Sequence, residues 1–236
     1  MRNINYFLIF IFVFNLVGCL HIPVINIDRN KNHKENVFLS EDNQLYYFGA
    51  LSEESNKQTF QLYNSAKIKP KRLIIFSNGG DVYIGMSLGE FVFNNQLDVE
   101  VNRLCFSSCA NYVFTAAKNK YLNPDSILGW HGSSWQPDIN KEVQKGEEWA
   151  VKWRKKEIAF FKKINVNMQI TINGFSQYKW RNYIKAYVRG LPISGFNYSV
   201  DDMKKFGVGN IYFTQDKWNW KKANKEMNVL RVKAFP

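Results

Sequence analysis

The chain has 236 residues, of which 45% are hydrophobic and 22% charged. That is enough for one sizeable core and excludes a mainly disordered protein. Three cysteines exclude a disulfide scaffold, and His21, His33 and His131 lie too far apart for metal-ligand spacing, so no metal and no other cofactor is expected. The net charge of +12 raises nucleic-acid binding. The 32 basic residues are spread along the chain, with one dense run at Lys152–Lys163, and no zinc-finger, helix-turn-helix or RNA-recognition signature is present, so no nucleic-acid partner is expected.

The N-terminus reads as an address. Arg2 is the only charge before Asp28, and Tyr6 to Val17 is almost wholly apolar. A basic start followed by an apolar run of this length is the pattern of a signal peptide, and it is short for a transmembrane helix. The run ends Leu16-Val17-Gly18-Cys19, which resembles the bacterial lipobox. The resemblance implies a signal peptide over residues 1–18 and acylation of Cys19. It also implies a lipid-anchored place in the bacterial cell envelope, in the periplasm at the outer membrane of a Gram-negative cell. An ordinary secretory signal or an uncleaved anchor is the alternative. Residues 21–43 are polar with mixed charge, and residues 19–43 read as a lipid-anchored tether leading into a first strand.

From residue 44 the chain alternates strand and helix. Leu45–Gly49 reads as a strand. Ser52–Lys67 reads as a helix with Ser52 as N-cap and Glu53 and Glu54 in the first turn, where carboxylates suit the helix dipole. Arg72–Phe76 is a short apolar run, hence a buried strand. Asp81–Asn95 places Ile84, Leu88, Phe91 and Val92 on one helical face. Val99–Leu104 is a strand, Ser108–Ala117 a nearly apolar helix, and Ile127–Trp130 a further strand. Helices are also expected over 147–163, with Trp149, Trp153, Phe160 and Phe161, and over 168–188. Alternation of this kind predicts an α/β fold with a mostly parallel sheet and flanking helices. The domain is expected over 44–215 with a helical insertion at about 133–188, followed by a basic tail over 216–236.

Three strand ends carry chemistry. Ser77-Asn78-Gly79-Gly80-Asp81 follows a buried strand and opens a helix, where glycine permits a sharp turn and exposed N–H groups. Such groups bind anions or an oxyanion, although a plain turn has the same look. Cys105-Phe106-Ser107-Ser108-Cys109-Ala110 again joins a strand to a helix. Ser107 is there either a nucleophile or a helix cap. In an exported chain Cys105 and Cys109 are free to form a disulfide that would clamp this turn, or they remain two buried thiols. His131, at the end of Gly129-Trp130-His131-Gly132, is the one histidine outside the tether and the candidate general base. A serine needs such a base to attack at neutral pH.

The order and spacing resemble the Clp-protease/crotonase fold family. Ser77-Asn78-Gly79-Gly80 is similar to the Ser-Pro-Gly-Gly motif of the Clp proteolytic subunit, with Asn for Pro. Ser107 then stands at the nucleophile, Ser108 at the residue completing the oxyanion hole with Gly79 and Gly80, and His131 at the base. The Cys-Xaa-Ser-Xaa-Cys form is closest to exported Clp-like bacterial proteins. Phe196–Val208 resembles the late Clp helix-and-strand segment. The resemblance implies a membrane-anchored serine hydrolase, of peptidase type, acting through a Ser–His pair. It admits a peptide or protein substrate and a homo-oligomer as partners. One departure stands out. The Clp acid precedes the late segment, and Tyr187–Gly195 holds no Asp or Glu. A catalytically silent envelope lipoprotein that uses the fold for binding or assembly is therefore the alternative. An acyl-thioester enzyme of crotonase type is the third reading.

Overall fold

The computed structural model describes residues 36–223 and 227–235. The signal segment, Cys19 and most of the tether lie outside them. The fold is α/β, with a mostly parallel central sheet and flanking helices, as the alternation predicts. Its strands are β1 (Asn36–Leu39), β2 (Leu45–Phe48), β3 (Arg72–Ser77), β4 (Asp98–Phe106), β5 (Lys120–Leu122), β6 (Ile127–Gly129) and β8 (Ile211–Phe213). The order across the sheet is β1-β2-β3-β4-β5-β8. β1 runs antiparallel on the edge and the rest are parallel. β4 is long enough to serve two partners. Its first half pairs with β5, and its last residues, Leu104 to Phe106, pair with β6.

The helices form for legible reasons. In α1 (Glu53–Ser65), Ser52 accepts a hydrogen bond from the Ser55 N–H. In α2 (Val82–Asn94), the Asp81 carboxylate caps the N–H groups of Tyr83 and Ile84. The buried face of α2 is Gly85, Met86, Leu88, Gly89 and Val92, rotated slightly from the predicted stripe. The cause is contact with the segment after β4. A Cβ at Gly85 would stand 2.9 Å from Ser108 Cβ, and one at Gly89 would stand 2.5 Å from the Tyr112 carbonyl. The two segments approach closely because glycine supplies the space.

Three expectations change. The helix predicted over 108–117 is a π-helical stretch, Cys109–Phe114, with Thr115 Oγ1 donating to the Asn111 carbonyl at 2.6 Å. The helix predicted over 168–188 is broken into two 3₁₀ turns, Met168–Thr171 and Asn173–Gln177, followed by α5 (Trp180–Val188). The chain there wraps the Phe196 ring, whose atoms would lie 2.2 Å from a Cβ on Gly174. Asn173 and Gln177 also donate to the Lys233 carbonyl at 2.9 and 2.7 Å. Lastly, the segment read as a tail contributes β9 (Asn228–Val232), which pairs in parallel with β7 (Ile193–Tyr198) as a small second sheet. α3 (Pro137–Lys145) and α4 (Glu148–Ile164) follow the predicted strand ending near His131. α6 (Val200–Lys205) carries Asp201 and Asp202 in its first turn, with Ser199 as N-cap.

Candidate functional site

Parallel strands end at one edge of a sheet, so β3, β4 and β6 deliver their following residues to the same place. β4 is the middle strand. Ser77 of β3 is in register with Cys105, and Phe106 is in register with Gly129 of β6. Strands stand about 4.8 Å apart. The glycine turn, Ser107 and His131 are therefore neighbours through topology alone.

Ser107 sits at φ +58°, a left-handed conformation that a non-glycine residue seldom adopts. Its N–H donates to the Gly129 carbonyl at 3.1 Å, and its carbonyl accepts from Asn111 N–H at 2.8 Å. Ser107 Oγ has no hydrogen bond among the described residues. Ser107 is thus the sharp corner between strand and helix, not a side-chain cap. Cys105 and Cys109 close a disulfide across the corner, with Cα atoms 5.2 Å apart. One ends β4 on the core face and the other begins the π-helical stretch, so the bridge fixes both arms of the turn.

The glycine turn presses on this corner. Gly79 has φ +93°, and a Cβ on it would stand 2.7 Å from both the Phe106 carbonyl oxygen and Ser107 Cβ. Only glycine lets the two turns meet. Gly79 N–H donates to Ser77 Oγ at 3.1 Å, and Ser108 Oγ donates to the Gly80 carbonyl at 2.8 Å. The N–H groups of Gly80 and Ser108 carry no hydrogen bond among the described residues. Of the three expected oxyanion-hole residues, then, Gly80 and Ser108 keep free donors, while Gly79 turns its donor inward and supplies space.

His131 follows Trp130, which exchanges both backbone hydrogen bonds with Phe196 at 2.8 Å in an antiparallel bridge. That bridge sets Gly195 opposite His131. A Cβ at 195 would stand 3.1 Å from His131 Cβ and 2.7 Å from the Phe106 ring. The His131 ring stacks on Phe106 with centroids 5.3 Å apart and planes 7° from parallel. Burial lowers its pKa below the ordinary 6.5. The imidazole is thus neutral at neutral pH and able to accept a proton. Among the described residues no hydrogen bond joins it to Ser107 Oγ, and no carboxylate pairs with it.

Glu157 was not singled out in the sequence, although it is a lone acid inside the basic run Lys152–Lys163. It is fully buried on α4. Tyr112 Oη donates to its Oε1 at 2.6 Å, and Ser134 donates to its Oε2 through N–H at 3.0 Å and through Oγ at 2.5 Å. Burial raises its pKa despite these donors. Arg154 donates to the Ser134 carbonyl and, at 2.9 Å, to Asn140 Oδ1, with its guanidinium 4.1 Å from the Trp135 ring centroid. Asn111 Nδ2 donates to the Gly132 carbonyl at 2.9 Å. The loop leaving His131 is thus tied to α4 and to the segment that follows Ser107. A groove of about 750 Å³ opens between α1 and α2, with Asp81, Tyr83 and Asn56 in its wall.

No protein-family model matches the chain, and no curated protein does. Among solved structures it is similar to ClpP1 from Listeria monocytogenes, at 15% identity and a TM-score of 0.40, over 74% of this chain and 92% of that one. A mutant of the same protein is similar at 17% identity and a TM-score of 0.38, with the same coverage.

Proposed function

We propose that the protein is a lipid-anchored envelope hydrolase of the Clp-like serine type, with Ser107 as nucleophile and His131 as base. The observation that carries this reading is the left-handed Ser107 at the strand-to-helix corner, held by the Cys105–Cys109 bridge and abutted by Gly79. Backbone strain of this kind costs on the order of 1–3 kcal/mol and persists where the surroundings enforce it, above all at functional sites. His131 takes the Ser107 hydroxyl proton as Oγ attacks a carbonyl carbon, and returns it to the leaving group. The Gly80 and Ser108 N–H groups receive the oxyanion, each such donor being worth about 3–4 kcal/mol in a measured case. Attack requires Ser107 Oγ and His131 to close into hydrogen-bond contact, which catalytic groups often do only once substrate is bound. A peptide or protein is the substrate class, and Cys19 carries the anchor.

One observation favours a second reading, a silent fold used for binding or assembly. Glycine stands opposite His131, and among the described residues nothing acidic orients the ring. A fluorophosphonate probe, which labels only activated serines, separates the two readings. Labelling of the full-length chain that is lost in both Ser107→Ala and His131→Ala supports the hydrolase. A folded wild type that stays unlabelled refutes it.

A further inference from the structure

α5 (Trp180–Val188) has an apolar face that stands largely exposed among the described residues, with only the Tyr178 ring against Tyr183 and Arg181 over Trp180. Trp180, Tyr183, Ile184, Tyr187 and Val188 recur at the spacing of one helical stripe, and of the whole helix only Ala186 is buried. Tyr187 is 88% exposed, Val188 77% and Trp180 66%. A contiguous apolar stripe of this size marks a contact surface rather than ordinary scatter.

The charge around it is of one sign. Lys179, Arg181, Lys185 and Arg189 flank or interrupt the stripe, and no acidic residue occurs from Ile158 to Val200. We propose that α5 rests on an anionic lipid surface, with its aromatic and aliphatic side chains among the acyl-chain boundary and its four cations at the phosphates. Trp and Tyr suit this depth because each has an apolar ring body and one polar atom. Lysine and arginine stems bury alongside apolar groups while their charges stay at the headgroups. A second copy is the poorer occupant. A two-fold contact sets the same patch against itself, and four cations would meet four cations. The inference does not depend on Ser107 or His131, since it concerns only how the domain lies at a surface.

The test places a polarity-sensitive nitrobenzoxadiazole label at Tyr187→Cys in the full-length chain carrying Cys19→Ser. The disulfide keeps Cys105 and Cys109 from reacting. A label at Ile68→Cys, also well exposed, is the control. Because the label reports its own surroundings, an apolar N-terminal segment that inserts on its own does not mimic the signal. On vesicles of phosphatidylglycerol and phosphatidylcholine in equal parts, emission from position 187 is expected to shift to the blue and rise several-fold. Position 68 is expected to stay aqueous. Vesicles of phosphatidylcholine alone are expected to give no shift at 187, and Arg181→Glu with Lys185→Glu to abolish the shift on anionic vesicles. The proposal is overturned if position 187 remains aqueous on anionic vesicles, or if it shifts equally on neutral ones. It is also overturned if the shift appears without vesicles as protein concentration rises, which would identify a second copy as the occupant.

Discussion

Ser107, Gly79, His131 and Gly195 form a small set in which the two glycines leave the room that the serine corner and the histidine occupy. Gly195 is the informative member. An aspartate there would place a Cβ 2.3 Å from the Trp130 carbonyl oxygen and 2.7 Å from the Phe106 ring, so backbone and ring leave no room for a side chain opposite His131. The placement of Ser107 and His131 at neighbouring strand ends was legible because short apolar runs precede both. The reason for Gly195 was not, since a glycine in Leu191-Pro192-Ile193-Ser194-Gly195 looks like a turn until its partner strand is known. His131 also sets a pH dependence. Its folded pKa lies below 6.5, so the unfolded chain takes up the proton first as pH falls. Its contribution to stability is complete above about pH 6.5 and is lost as pH falls through the lower folded value. In His131→Gln, denaturation midpoints compared between about pH 7.5 and pH 5 are expected to fall less than in wild type. An equal fall in the two proteins would show that His131 is not the buried titrating group.

At the scale of elements, the disulfide and the segment after it determine how well the corner is held. The bridge spans only a four-residue separation, so constraint of the unfolded chain accounts for about 2 kcal/mol. Its larger effect is local. Replacement of both Cys105 and Cys109 by serine is expected to lower the denaturation midpoint modestly and to reduce serine-probe labelling at least tenfold, because the left-handed Ser107 relaxes. Unchanged labelling in that variant would show that the corner holds itself. The four-residue cysteine spacing and the export-like N-terminus allowed this bridge but left two buried thiols equally open. The π-helical stretch was not, because Ser108–Ala117 carries the apolar composition of an α-helix and nothing in it marks the wider turn. The break at 172–179 was hidden for a related reason. It depends on Phe196 and Lys233, which come much later in the chain. Glu157 likewise gains meaning only when Tyr112 and Ser134 are folded against it.

Across the molecule, periodicity and strand-helix alternation foretold the sheet, because buried parallel strands are short apolar runs bounded by turns. β5, β7, β8 and β9 are not marked as strands in the sequence, since β5 and β8 are only three residues long and, among strands, β7 and β9 pair only with each other, and residues 216–236 read as a tail while they supply a strand to the second sheet. In the assembled domain, three consecutive signals in the chain meet at one sheet edge, and a cationic aromatic helix stands exposed on the surface. Lipid attachment at Cys19 would hold such a domain at a membrane. Expression with labelled palmitate is expected to give an acylated product confined to the membrane fraction, and Cys19→Ser an unlabelled one. Equal labelling of both would assign the acylation elsewhere. The most direct measurement of the central claim remains reaction of the intact protein with a fluorophosphonate. One labelled site is expected, Ser107, lost in Ser107→Ala and His131→Ala, with a labelling rate that rises with pH through the lowered pKa of His131. A folded protein that takes no label, or takes it equally without Ser107, would contradict it.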